Sequence, residues 1–70
     1  MNAEAIREII HRQPFEQFEI RMTNGDRHLI KHPEMSMLVG SRLLVGYPET
    51  DKIAFLSLLH VAAIEMRQMA

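Results

Sequence analysis

The sequence contains no cysteine, only three glycines and no apolar run long enough to cross a membrane. A chain without cysteine forms no disulfide and suits a reducing compartment. A membrane-spanning helix needs about 20 apolar residues, whereas polar groups interrupt the most apolar stretch, residues 56–64. Residues 2–8 are acidic and helically patterned, unlike a secretory signal. We therefore expect a soluble, cytoplasmic protein with no membrane contact.

The size of the chain limits what it can bury. Its 70 residues, 47% hydrophobic and 24% charged, suit a single globular domain over residues 1–70. A core of this size rarely stabilises a fold by more than about 3 to 5 kcal/mol. Self-association is a common further source of stability, so we expect a homo-oligomer. The net charge of -1 gives no overall attraction to phosphate, so any basic patch must be local.

The first element is predicted to be a helix over about residues 3–12. Ile6, Ile9 and Ile10 recur at helical spacing, and Asn2 is suited to cap the first turn. Pro14 disfavours helical geometry in the residue before it, so the helix ends ahead of this proline.

A hairpin is predicted next. Phe18, Ile20 and Met22 alternate with polar residues, and Asn24-Gly25 is typical of a tight turn. A three-residue loop, 24–26, pairs Ile20 with residue 30 and residue 19 with residue 31. A two-residue loop instead pairs Ile20 with residue 29. We favour the three-residue loop because it places opposite charges across from each other.

Extended segments are also predicted at residues 27–32, 35–39, 42–47 and 52–59, separated by turns at Pro33, Gly40 and Pro48. The end of the chain fits either a helix or a kink near His60 followed by a short strand, residues 62–66, and we favour the kink. All strands then lie within residues 18–66, with a tail at 67–70. These patterns predict an N-terminal helix followed by a compact, strongly bent antiparallel sheet.

Few residues suggest chemistry. His28 and His32 have the spacing of a helical zinc pair, but on a strand they lie roughly 13 Å apart. The serines lack a nucleophile context and the glycines form no phosphate-binding loop. We therefore expect no cofactor, no bound metal and no enzymatic activity. The methionines Met22, Met35 and Met37 are interpreted as core residues, against the alternative of an adaptable binding surface.

Five basic side chains are positioned to contact phosphate, although a simple solvated face is the alternative interpretation. They are Arg21, Arg27, Lys31, Arg42 and Lys52.

The order of elements resembles the Sm-like fold, in which a helix precedes a five-stranded, strongly bent antiparallel small barrel of the SH3-like type. Within that fold the chain resembles the bacterial host-factor RNA chaperones. Their early strand ends in Asn-Gly, as residues 20–25 do here, and a histidine precedes their last strand, as His60 does here. In this chain Leu59 replaces the lysine of their uridine-binding motif, and Leu29 and Ile30 stand where their second strand has a glycine.

This resemblance implies an α+β, mostly β fold, self-assembly edge to edge into rings and binding of single-stranded RNA. Arg27, Lys31 and His60 are the residues we expect to contact RNA. The chain is also similar to a group of short uncharacterised bacterial proteins. They share the motifs Gln13-Pro14-Phe15, Asn24-Gly25 and His32-Pro33-Glu34. The alternative hypothesis is a protein-interaction adaptor or a subunit of a larger complex, with apolar residues 61–69 covering a protein partner.

Overall fold

One helix and six strands make up the computed structural model, which describes residues 2–67. In chain order they are α1 (Ala3–Ile10), β1 (Phe18–Met22), β2 (Arg27–Ile30), β3 (Ser36–Val39), β4 (Arg42–Tyr47), β5 (Lys52–Ser57) and β6 (Val61–Met66). Short 3₁₀ turns occupy Pro33–Met35 and Leu58–His60.

The helix α1 follows from its local sequence. The Glu4 amide donates a hydrogen bond to Oδ1 of Asn2 over 2.7 Å, which confirms the predicted cap. Ile6 and Ile10 are buried against the sheets. The helix ends at Ile10, two residues earlier than predicted, and the peptide bond before Pro14 is cis.

The β1–β2 hairpin has a three-residue loop, but its position and register differ from the prediction. The Met22 amide donates to the carbonyl of Asp26 and the Gly25 amide to the carbonyl of Met22, so the loop is residues 23–25. Ile20 therefore lies opposite His28 rather than residue 30. Gly25 has a φ of 94°, which closes the turn in a conformation that favours glycine.

The six strands form two three-stranded antiparallel sheets, in the orders β2-β1-β6 and β3-β4-β5. The resemblance to the Sm-like fold implied five strands, whereas the extended segments read from the sequence numbered six. The structure has six, because Pro33 begins a 3₁₀ turn and has no amide hydrogen for a strand ladder. This turn separates β2 from β3, at the place where the sequence predicted a turn. The strand pairing within residues 2–67 does not close a barrel.

The core lies between the two sheets and α1. Its fully buried side chains are Ile6, Phe18, Ile20, Ile30, Leu43 and Val45. Met22 is buried as predicted, but Met37 is 62% exposed, so its assignment to the core is wrong. In β3 Leu38 takes the inward position instead, because successive strand residues face opposite sides.

The last part of the described chain confirms the predicted kink. The 3₁₀ turn at Leu58–His60 is followed directly by β6, which pairs with β1. Ala62 has no partner in this pairing, because Arg21 lies opposite Ala63 while Met22 lies opposite Val61. Residues 68–70, most of the predicted tail, lie outside the described residues.

The described part of the chain is small and compact. Its radius of gyration is 11.3 Å, close to the value of about 11 Å for a folded chain of this length. Within residues 2–67, no helix has the length and apolar character needed to span a bilayer.

Candidate functional site

A cleft of about 510 Å³ opens between the tip of the β1–β2 hairpin and the β4–β5 pair. Its walls carry His28, Arg42, Phe55 and His60 together with smaller polar groups at the hairpin tip. Two histidines, a guanidinium group and an aromatic ring therefore share one opening.

The turn that carries His60 is connected to both sheets by backbone hydrogen bonds. The Thr23 amide donates to the carbonyl of His60 over 2.8 Å, and the Leu58 amide donates to the carbonyl of Ser41 over 3.0 Å. The first bond reaches the β1–β2 loop and the second reaches the β3–β4 turn. These contacts fix the backbone of His60, whose exposed side chain lines the cleft.

The hairpin tip supplies a rigid polar wall. The Asp26 amide donates to Oδ1 of Asn24 over 2.9 Å, and Nδ2 of Asn24 donates to Oδ2 of Asp26 over 3.2 Å. An asparagine that bonds the backbone two residues ahead stabilises the turn locally. The wall therefore presents amide and carboxylate groups whose positions are fixed.

Arg42 and Phe55 form the opposite wall and come from neighbouring strands. Arg42 lies across from Ser57, and Leu44 lies across from Phe55. The Phe55 side chain is 68% exposed, and Arg42 forms no ion pair within residues 2–67. A free cation beside an exposed aromatic ring can bind a phosphate group and stack on a nucleobase.

His28, which is half-buried, also lines the cleft and reaches the second sheet. Its Nδ1 is hydrogen-bonded to the hydroxyl group of Tyr47, at the end of β4. Burial raises the pKa of the Tyr47 hydroxyl group above its ordinary value, so this group stays neutral at physiological pH. The hydrogen bond constrains the orientation of the His28 ring.

The structure separates the three residues predicted to contact RNA. His60 lines this cleft, whereas Arg27 lies on the outer side of β2 and forms an ion pair with Glu19, with 3.1 Å between Nη1 and Oε1. Arg67 also donates to Glu19, over 2.9 Å. The Arg67 hydrogen bond, reinforced by the charges of Arg67 and Arg27, lowers the pKa of the Glu19 carboxyl group against the opposing effect of its burial.

Lys31 lines a second cleft of about 580 Å³ at the other end of β2. Phe15, His32, Pro33 and Arg67 also contribute to it. The motifs around Pro14 and Pro33 therefore meet at this second cleft, away from His60.

The two histidines with zinc-like spacing also separate. His28 lines the cleft that contains His60, and His32 lines the cleft that contains Lys31. No group of three histidine, aspartate or glutamate side chains among residues 2–67 is placed to hold a metal ion.

Sequence reasoning missed Phe55, and it named Arg42 only as one of several basic residues. The alternation of Ile53 and Phe55 with inward residues on β5 was a usable signal for two exposed apolar side chains. The proximity of Phe55 to Arg42 and His60 depends on the β4–β5 register and on the hairpin tip, which no local pattern specifies.

Comparisons with protein-family models, with curated proteins and with solved structures give no match for this chain. Any function must therefore be argued from the clefts and surfaces themselves.

Proposed function

We propose that this chain is a cytoplasmic, non-enzymatic Sm-like binding module that associates with copies of itself through its sheet edges and binds single-stranded RNA. In this proposal β2 and β3 are two halves of one strand bent at Pro33. The strand order β6-β1-β2/β3-β4-β5 is then that of a single, strongly bent five-stranded sheet of the small-barrel type. The two three-stranded sheets and their order support it.

The observation that carries the proposal is the pair of long open edges. β5 and β6 each have six residues, and each stands at the end of its sheet with one side unpaired within residues 2–67. Unpaired strand edges favour pairing with another chain. A β6 strand added to the β5 edge of a neighbour supplies backbone hydrogen bonds and continues the apolar inner face from Leu56 to Ile64.

The cleft beside β5 supports RNA as the ligand. Phe55 offers a stacking surface, Arg42 offers a positive charge for a phosphate group, and His60 lines the same cleft. A neighbouring copy on the β5 edge adds a further wall to this cleft. Arg27 and Lys31 remain candidates for contact with more distant phosphates. Arg27 is also ion-paired with Glu19, which weakens its attraction for a phosphate.

Association is tested by sedimentation with an edge-blocking variant. Ala62→Pro suits this purpose because Ala62 is exposed and has no partner opposite it in β1. Val61 also has extended backbone angles that a following proline accepts. We expect wild-type chains to form oligomers and Ala62→Pro to reduce the native mass, while Ala62→Ser does not. A wild-type protein that remains monomeric at several hundred micromolar contradicts the proposal, and circular dichroism checks that each variant is folded.

RNA binding is tested by filter binding to a short oligouridine at several salt concentrations. We expect an affinity that falls steeply with salt, and a loss of about tenfold on His60→Ala or Arg42→Ala. Replacement of a distant, exposed residue, as in Glu8→Ala, is the matched control. Absence of salt-sensitive binding removes RNA as the ligand but leaves the association test unaffected.

An adaptor that binds another protein is the second candidate, and Leu59 favours it. This side chain is 84% exposed at the 3₁₀ turn, where it is accessible to a protein partner. Within the predicted contact region Val61 is buried, and Met69 lies outside the described residues. Recovery of a specific protein by the wild-type chain but not by Leu59→Ser, without RNA binding, supports this candidate.

A further inference from the structure

The outer face of the β3-β4-β5 sheet is unusually apolar for a surface. Four of its side chains are more than half exposed: Met37 at 62%, Val39 at 53%, Ile53 at 64% and Phe55 at 68%. The strand register aligns Met37, Leu44 and Phe55 in one row across all three strands. The outer apolar face consists of Met37, Val39, Leu44, Ile53 and Phe55.

The size of this face suits an interface. Its exposed side chains present apolar surface on the order of 400 Å², within the range of the largest apolar patch on a typical monomer, a patch that is often functional. A specific interface needs about 1,000 Å² in total, or roughly 500 Å² from each partner. The outer apolar face with its rim therefore reaches the lower limit for one side of a specific contact.

Charges at the two ends of the face indicate which partner fits it. Arg42 lies at one end of β4, and the β4–β5 turn at the other end carries Glu49 and Asp51. The two ends are about 17 Å apart along the strand. Arg42, Glu49 and Asp51 form no ion pairs within residues 2–67, and Lys52 offsets only one of the two acidic charges. The face therefore has a positive end and a negative end.

We propose that the outer apolar face packs against the same face of a second copy. The two copies are related by a two-fold axis that lies between the two faces and is perpendicular to the strands. Strands of the two copies then run in opposite directions, and each Arg42 approaches Glu49 and Asp51 of the other copy. An axis parallel to the strands instead places Arg42 over Arg42. The charges select the first arrangement, and the apolar row supplies the buried area.

This contact is distinct from the edge pairing proposed above. Edge pairing uses backbone groups of β5 and β6, whereas the face contact uses side chains that point away from the core. If both operate, edge-linked assemblies pair face to face and the native mass doubles.

Two experiments without RNA test the contact. Sedimentation of Phe55→Ser is expected to give half the native mass of the wild-type protein, whereas Leu59→Ser, which removes a still more exposed apolar side chain outside this face, leaves the mass unchanged. A Phe55→Ser protein that is folded and has the wild-type mass overturns the proposal. If edge pairing alone fails, the wild-type chain is a dimer and Phe55→Ser is a monomer.

Charge exchange gives the sharper test. Arg42→Glu and Glu49→Lys each place like charges across the two-fold axis, so each alone is expected to associate at least tenfold more weakly. In a mixed dimer of the two variants both pairs between residues 42 and 49 are again of opposite sign, while Asp51 is unchanged in each copy. At one end of the contact the introduced carboxylate of the first variant meets the introduced ammonium group of the second. At the other end the two residues left unchanged, Arg42 and Glu49, meet each other. An equimolar mixture is therefore expected to recover the wild-type mass. A mixture no more associated than its components overturns the proposed arrangement.

Discussion

Nδ1 of His28 and the hydroxyl group of Tyr47 are hydrogen-bonded to each other, and this bond joins the β2-β1-β6 sheet to the β3-β4-β5 sheet. Both rings are half-buried, with their centroids 6.1 Å apart. Strand pairing within residues 2–67 does not link the two sheets, so side-chain contacts such as this one, together with the backbone hydrogen bonds of the turn at 58–60, fix their relative position.

Tyr47→Phe is predicted to destabilise the fold by about 1 kcal/mol, because His28 loses a partner in a partly buried place. For a domain of this size that corresponds to a fall of roughly 4 to 8 °C in Tm. Urea unfolding measures the change, and a double-mutant cycle with His28→Leu isolates the pair. Additive effects of the two substitutions would show that the hydrogen bond contributes nothing.

Glu19 gives the fold an acid-sensitive ion pair. Its carboxyl group accepts from Arg27 and Arg67, and its pKa in the folded protein is lowered. A lowered pKa means that the stabilisation is complete above the ordinary glutamate value of about 4.3 and is lost as pH falls towards the folded value. We predict that stability declines below about pH 4.3 and that Glu19→Gln makes this decline shallower.

The measurement is urea unfolding between about pH 3 and pH 7, with Glu8→Gln as the matched control. Glu8 is exposed and forms no ion pair within residues 2–67. An equally steep acid decline in Glu19→Gln would assign the effect to other carboxyl groups.

The sequence specifies the elements of this fold better than their alignment. The helix cap at Asn2 and the kink before β6 were predicted because their signals are local. The hairpin register was wrong by two residues. A one-residue shift would turn Phe18 and Ile20 away from the core, but a two-residue shift keeps them inside, so hydrophobic alternation cannot distinguish the two registers.

The same limitation applies to β3 and to the cleft. Met37, Leu38 and Val39 are all apolar, so composition does not reveal which of them face inward, and the structure buries only the inward side. His60 was identified through a family resemblance. The contribution of Phe55 to the cleft required the long-range contact between the hairpin tip and the 3₁₀ turn.

Two turns depend on glycine for conformational reasons. Gly25 has a φ of 94° and Gly40 a φ of 59°, and neither has a neighbouring atom that a methyl group would meet. We predict that Gly25→Ala destabilises the fold by about 1 to 2 kcal/mol through backbone strain alone.

Gly46 is the matched control. It has no positive φ, and an added Cβ would lie 3.9 Å from the carbonyl oxygen of Met35, an ordinary contact. Gly46→Ala is therefore expected to cost less than about 0.5 kcal/mol, and equal losses at Gly25 and Gly46 in urea unfolding would contradict this explanation.

RNA and the second copy are predicted to compete, because Phe55 and Arg42 belong both to the cleft and to the face-to-face contact. Two ligands that exclude each other reduce each other's affinity by the same factor. Oligouridine should therefore lower the native mass of the wild-type assembly, once the mass of the bound RNA is subtracted.

Met37→Ser separates the two roles, since Met37 is on the outer apolar face but does not line the cleft. This variant should bind oligouridine several-fold more tightly than the wild-type chain, measured by fluorescence anisotropy at fixed salt, with Leu59→Ala as the control for the loss of an exposed apolar side chain. Weaker or unchanged binding by a folded Met37→Ser protein would mean that the cleft stays open when two copies associate.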